Sequence, residues 1–281
     1  MSNILVFGCT GLVGKVLIDL IHSRNYKYND IILVASSKSE NKKVVIADKE
    51  YSIITAETSL KYNNIDIIFF CSSSSLAEKY IPEYLKNNLN CVIIDNSSHY
   101  RLKNDIDIII PPINKHLLKS GKRVISNSNC TTSGLILAIY KLKKFEIQEI
   151  TITSLQSCSG SGYDGVNQLI QEQNNKEVTS QCYKHQIYEN VIPKIGSINI
   201  TGITTEEEKL IYETKKILMD NTIKISAMCI RVPIKFCHSL SIKIKLGKQT
   251  TVKDIINELE TQSGLTLSND KNEIYTPLNV K

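Results

Sequence analysis

No stretch of the 281 residues approaches the roughly 20 consecutive apolar residues that cross a bilayer. The longest apolar runs, Ile65 to Cys71 and Ile106 to Ile113, are broken by charge or stopped by proline. No basic region precedes the first apolar run, which begins at Ile4 and ends in a glycine turn at Gly8. No secretory leader is read there, and the protein is expected in the cytoplasm, away from membranes. CxxC pairs are missing too, so zinc-site spacing is absent and no metal is expected. The eight cysteines (9, 71, 91, 130, 158, 182, 229 and 237) are expected as free thiols, several inside apolar stretches such as FFCSS, NCVII and AMCIRV. Cysteine there behaves as a small buried hydrophobe.

A basic stripe is also lacking. The 34 Lys and Arg against 28 Asp and Glu give a net charge of +6, but the lysines are scattered among acids. The densest clusters, Lys42 with Lys43 and Lys141 with Lys143 and Lys144, read as solvated faces, so nucleic acid is not expected as a partner. The weak positive balance suits an anionic small substrate. Repeats and low-complexity linkers are absent. What remains is an ordinary globular composition, 42% apolar against 22% charged, in a chain long enough for about two domains.

Apolar runs at Ile4 to Phe7, in DIILVASS, IDIIFFCSS, CVIIDNSS and RVISNSN alternate with helical patterns. Val16, Leu17, Leu20 and Ile21 give one helix, and SLAEKYIPEYLKNN another. This predicts an α/β, Rossmann-like doubly wound parallel sheet over residues 1–129. Each run ends in a polar residue (Gly8, Ser36, Ser72, Asn96, Asn127), on the side where such sheets bind ligands. From about residue 146, EIQEITITSLQS, KISAMCIRVPI and HSLSIKIKLG alternate apolar and polar residues, predicting an α+β second domain over 130–281. Its expected helices are NQLIQEQNNKE and TTEEEKLIYETKKILMD, the latter opened by a threonine cap and early glutamates and closed by Lys215 and Lys216.

GCTGLVG at 8–14 places Gly8, Gly11 and Gly14 between a strand and a helix, with Thr10, Leu12 and Val13 among them. Glycines there let a pyrophosphate approach free amides at the helix N-terminus, against the plainer reading of a structural turn. The second strand ends in Ser36, Ser37, Lys38 and Ser39 rather than in an acid that would hold ribose hydroxyls; this favours NADP over NAD, and an ordinary polar loop is the other reading. SNSNCTTSG puts Cys130 at a loop-to-helix junction, where amides and the helix dipole lower a thiol's pKa; by itself such a cysteine is equally a small buried residue. Asn129 beside it can orient a carbonyl or phosphate.

IDNSSHYR, SNSNCTT, LQSCSGSGYDG, ENVIPKIG, EEEKLIYETKKI and RVPIKFCHS occur in the order and spacing of the aspartate-semialdehyde dehydrogenases, which the chain resembles nearly from end to end. The resemblance implies NADPH-dependent reductive dephosphorylation of L-aspartyl 4-phosphate for lysine, threonine and methionine synthesis, by a homodimer or homotetramer. It implies Cys130 as nucleophile on the acyl phosphate, His238 as acid/base and Gln156 as the residue orienting the thioacyl group. Arg231 matches the position that grips the substrate carboxylate and Glu206 the one that holds its amino group; Arg101, Lys209 and Asn129 match phosphate-binding positions. Ser72, Ser159 and Gly160 join the glycine turn and the Ser36 to Ser39 loop as cofactor positions. The chemistry agrees: cationic donors suit a departing phosphate, a thioester accepts hydride in a closed site, and histidine can take the thiol proton and return it.

Other residues fit blander roles. His22, His99, His116 and His185 read as surface or satisfied groups, Glu206 to Glu208 also suit any helix N-terminus, and Cys158 and Cys237 read as packing. The chain departs from the family at Ser72 to Ser74 (a small Ala-Gly-Gly turn elsewhere), at Ser128 (proline elsewhere) and at Pro112 (commonly glutamate). It also ends where the family is expected to continue with further strands and a terminal helix. The competing expectations are an N-acetyl-glutamyl-phosphate reductase, whose nucleophile motif has glycine where Asn129 stands, and an inactive, shortened remnant of the family.

Overall fold

The computed structural model describes residues 1–46, 48–268 and 274–280, and the chain divides into two compact units. One comprises Met1–Ile109 with Lys115–Ser128, the other Ile110–Asn114 with Asn129–Lys281.

The first unit alternates strands and helices: β1 (Ser2–Phe7), α1 (Leu12–Ser23), β2 (Tyr28–Val34), β3 (Lys43–Ile46), β4 (Lys49–Ile54), α2 (Ala56–Ser59), β5 (Ile67–Phe70), α3 (Ser74–Asn87), β6 (Val92–Asp95), β7 (Asp107–Ile109) and β8 (Val124–Asn127). They form one sheet of order β3-β4-β2-β1-β5-β6-β8-β7, parallel throughout except for the β3–β4 pair. The continuous apolar run of β1 follows from this placement, because a central parallel strand is buried on both faces. Leu5 and Phe7 join a core with Tyr80, Ile81 and Tyr84 of α3, whereas Ile4 and Val6 join one with Ile18 and Ile21 of α1. Phe7 stacks on Phe70 with ring centroids 4.3 Å apart. The β3–β4 hairpin adds an edge that the sequence reading did not include.

In the second unit, α4 (Pro111–Asn114) precedes α5 (Cys130–Ile139), β9 (Ile147–Gln156), α6 (Gly162–Gln173), α7 (Thr205–Leu218), β10 (Lys224–Arg231), β11 (His238–Leu246) and α8 (Val252–Glu260). β9 is the central strand of three, parallel to β10 and antiparallel to β11. Its alternation is resolved by burial: Ile150, Ile152, Ser154 and Gln156 are buried, and Gln148, Thr151 and Leu155 are exposed. α5 and α7 contact one another, β11 and β10 respectively. α7 opens with the expected threonine as a full capping box, Thr204 accepting from the Glu207 amide and the Glu207 carboxylate accepting from the Thr204 amide.

Candidate active site

In the first unit, a cavity of about 460 Å³ lies at the carboxyl ends of the strands, lined among others by Gly8, Thr10, Gly11, Ser36, Ser37 and Ser72. Two glycines make the turn possible. Gly8 has φ +84°, and a Cβ there would lie 2.3 Å from the Cys71 carbonyl oxygen; a Cβ on Gly14 would lie 2.3 Å from the Gly8 carbonyl oxygen. Any side chain at either position displaces main chain. Gly11 tolerates more, with 3.3 Å to its nearest neighbour. Leu12, Val13 and Gly14 form the first turn of α1, which no side chain caps, so its amides suit an anion. The residues therefore fit a dinucleotide. Lys38 and Ser39 belong to the 3-10 turn Ser37–Ser39, where Lys38 is exposed.

Sequence reading missed Glu57, which follows β4 and also lines the cavity, its carboxylate accepting from the Tyr80 hydroxyl. Nothing short of the unforeseen β4 could have brought it there. The Ser72 to Ser74 departure has a local explanation as well. Ser73 caps α3 by accepting from the Leu76 amide, Ser74 bonds Ser98 at 2.8 Å, and Ser72 alone of the three lines the cavity. Arg101, also in this unit, is buried and donates from Nη2 to the Asn96 carbonyl at 2.8 Å. The nearby Asp95 carboxyl is held above its usual pKa by burial, which its bonds from Ser97 and the Arg101 charge only partly offset.

In the second unit, Cys130, Asn129, Gln156, Glu206, Lys209, Arg231 and His238 come together through sheet register. Gln156 at the end of β9 is directly opposite Arg231 of β10 and His238 of β11. Paired residues in neighbouring strands point to the same face, so three side chains distant in sequence form one row. Cys130 is the first residue of α5, capped by Asn129, whose Oδ1 accepts from the Thr131 and Thr132 amides at 2.9 and 3.2 Å. The Cys130 residue is exposed, and its Sγ lies 3.1 Å from His238 Nε2.

The His238 ring is oriented from behind by the main-chain N–H of Ser157, which donates to Nδ1 at 3.0 Å, with the Ser157 hydroxyl 3.4 Å away. With Nδ1 accepting, the tautomer assigned to the neutral ring carries its proton on Nε2 and directs it at the sulfur. Burial, joined by the Arg231 charge, holds His238 below the ordinary histidine range, and Glu206 only partly opposes this. The preceding residue, Cys237, has φ +70°, a strained conformation for a residue with a side chain. Its Sγ bonds the Val280 carbonyl at 2.9 Å, whereas Cys158 is buried in an apolar cluster.

Glu206 is the hub of the polar groups. One oxygen accepts from Asn129 Nδ2 at 2.9 Å and Gln156 Nε2 at 3.4 Å, the other from Lys209 at 2.9 Å. Burial raises its pKa, but the Lys209 ammonium and these bonds outweigh burial and hold the carboxyl below its usual value. Arg231, 4% exposed, donates from Nη1 to the Ser157 carbonyl at 2.6 Å and lies 6.0 Å from the Tyr183 ring centroid. Its Nε is buried with no hydrogen-bond partner among the described residues. Ser159 and Gly160 lie on the 3-10 turn Cys158–Ser161 beside Arg231. Sequence reading also missed Ser157 and Glu213. The Glu213 carboxylate accepts the main-chain N–H of Asn129 at 2.7 Å; it lies in the quoted EEEKLIYETKKI motif, the one signal that could have drawn attention to it.

A family model described as the NAD binding domain of semialdehyde dehydrogenase matches residues 3–121, and the dimerisation domain of semialdehyde dehydrogenase matches residues 138–281. The aspartate-semialdehyde dehydrogenase of Aquifex aeolicus is 30% identical over 97% of this chain and 82% of its own length. That of Rickettsia bellii is 34% identical over 94% and 79%. Among solved structures, aspartate semialdehyde dehydrogenase II of Vibrio cholerae, complexed with ASA, superposes with a TM-score of 0.86 at 27% identity, covering 94% of this chain and 80% of that one.

Proposed function

Because the chain belongs to the aspartate-semialdehyde dehydrogenase family, we propose that it is an oxidoreductase converting L-aspartyl 4-phosphate to L-aspartate 4-semialdehyde with NADPH, through a thioacyl group on Cys130. The observation that carries this reading is the 3.1 Å approach of His238 Nε2 to Cys130 Sγ. The identity of residue 129 supports it over N-acetyl-glutamyl-phosphate reductase, whose nucleophile motif has glycine there.

His238 serves as a hydrogen-bond donor in both halves of the reaction. Nε2–H stabilises the Cys130 thiolate, which attacks the carbonyl carbon of the acyl phosphate. The bond between the carbonyl carbon and the phosphate oxygen breaks, and phosphate leaves with the bonding pair and takes a proton from water, its charge met by Lys209 and the second amide hydrogen of Asn129. When bound, the dinucleotide supplies the hydride that reduces the thioester. Nε2–H then supports the negative oxygen of the tetrahedral adduct, and Gln156 orients the thioacyl group. Collapse to the aldehyde returns sulfur as thiolate, so no proton has to be lodged on the ring. Arg231 grips the substrate carboxylate, and Glu206, kept ionised by Lys209, takes the amino group.

Residues 1–129 carry the cofactor turn, and residues 130–281, joined by Asn129, supply the nucleophile and the dimer contact of a homodimer or homotetramer. The Gly8 to Gly14 turn holds the pyrophosphate, and Ser72 lines the same cavity. Ser36, Ser37, Lys38 and Ser39 receive a 2′-phosphate, which selects NADP. The reaction is proposed to run in the cytoplasm. Phosphate-dependent reduction of NADP by aspartate semialdehyde tests the proposal: turnover is expected from the purified chain and not from Cys130→Ala.

A further inference from the structure

The turn that carries Cys130 is gripped from α7 at two points. Glu206 holds the side chain of Asn129, and Glu213, two turns further along the same helix face, holds its main chain. Glu213 is 1% exposed. A carboxylate buried this deeply is costly unless strongly bonded, and an apolar residue could pack between α7 and α5 without that cost. Its Oε2 accepts at 2.7 Å from the N–H of the α5 cap residue, a group no bond within α5 can satisfy.

We infer that Glu213 is a positioning residue of the reaction: its carboxylate oxygen clamps the main chain of Asn129 and so sets Cys130 Sγ against His238 Nε2. Asn129 leads directly into Cys130, so rotation about the Asn129 backbone moves the sulfur first. The side-chain cap by Oδ1 fixes Thr131 and Thr132 relative to Asn129, Glu206 holds the amide nitrogen of that side chain, and Glu213 fixes the main chain that leads into Cys130. The inference rests on Cys130 being the nucleophile.

The test compares Glu213→Gln, whose amide oxygen can still accept the N–H, with Glu213→Met, of similar length but with only a weak acceptor. In Glu213→Met, kcat per folded enzyme is expected to fall about 100-fold with KM within about threefold, as a displacement near 1 Å produces. Glu213→Gln should keep at least about a third of the wild-type kcat, because it conserves the acceptor. Iodoacetamide alkylation of Cys130 gives a readout independent of turnover. Its rate-against-pH profile in Glu213→Met should match that of His238→Asn, while Glu213→Gln overlays the wild type. A Met variant within threefold of wild type in both readouts, or a Gln variant falling as far as the Met variant, overturns the inference. Should Glu213→Met fail to fold, amide exchange in the wild type decides: protection of the Asn129 N–H supports the clamp, and exchange at the rate of an open amide overturns it. A wild type with no turnover but a protected amide and a His238-coupled alkylation profile counts against the proposed reaction and not against the clamp.

Discussion

The main-chain N–H of Ser157 and the Nδ1 of His238 are 3.0 Å apart, and this bond decides which ring nitrogen can offer a proton to Cys130. Ser157 has φ −67°, the value proline adopts. Ser157→Pro should therefore delete the donor while preserving the backbone, and Ser157→Ala should delete only the hydroxyl. A fall in kcat of roughly tenfold or more is expected for the proline variant and little change for alanine, measured as initial rates on protein matched for thermal stability.

His238 also links stability to pH. Its pKa in the folded chain is lowered by burial and by Arg231, so the unfolded chain takes up the proton first as pH falls. Below the ordinary value near 6.5 the unfolded state then holds more protons, and stability drops until the folded pKa is passed. In a Cys130→Ala background, replacing His238 by Asn should reduce the loss of Tm between about pH 7.5 and pH 5.5. An identical loss in both proteins would contradict the assignment.

The glycine turn makes a prediction about position. Gly14→Ala and Gly8→Ala, each placing a methyl 2.3 Å from a carbonyl oxygen, should cost roughly 2 kcal/mol or more and abolish the thermal stabilisation given by NADP. Gly11→Ala, with 3.3 Å available, should keep most of both. Thermal shift with and without cofactor checks all three.

Much of the first unit was legible because a parallel sheet advertises itself: strands buried on both faces read as unbroken apolar runs, and the glycines at 8 and 14 are forced by steric contact. The hairpin at Lys43–Ile46 and Lys49–Ile54 was not, since its strands are short and open on charged residues, Lys43 in one and Lys49 with Glu50 in the other. α6 begins at Gly162, inside a glycine-rich stretch that suggests a loop, and α8 carries no buried residue to mark it. In the second unit the alternation showed the strands but not their partners. The row Arg231, Gln156, His238 depends on register between strands far apart in sequence, so those residues were reachable only through resemblance. Ser157 acts through its N–H, which has no side-chain signature at all.

The proposed preference for NADP rests on the loop after β2, where Ala35, Ser36 and Ser37 line the cavity with no acid from that loop, the carboxylate in the lining being Glu57 of α2. Replacing Lys38 by Glu should lower the kcat/KM ratio of NADPH over NADH about tenfold or more, since a charge-assisted bond to phosphate is exchanged for repulsion. An unchanged ratio would remove Lys38 from the 2′-phosphate site.

The most direct measurement is phosphate-dependent NADP reduction by aspartate semialdehyde, run on the wild-type chain, Cys130→Ala and His238→Asn at equal folded concentration. Turnover is expected in the first, none in the second, and a rate reduced by about 100-fold in the third. Turnover surviving in Cys130→Ala would contradict the thioacyl route and with it the role given to the Cys130–His238 pair.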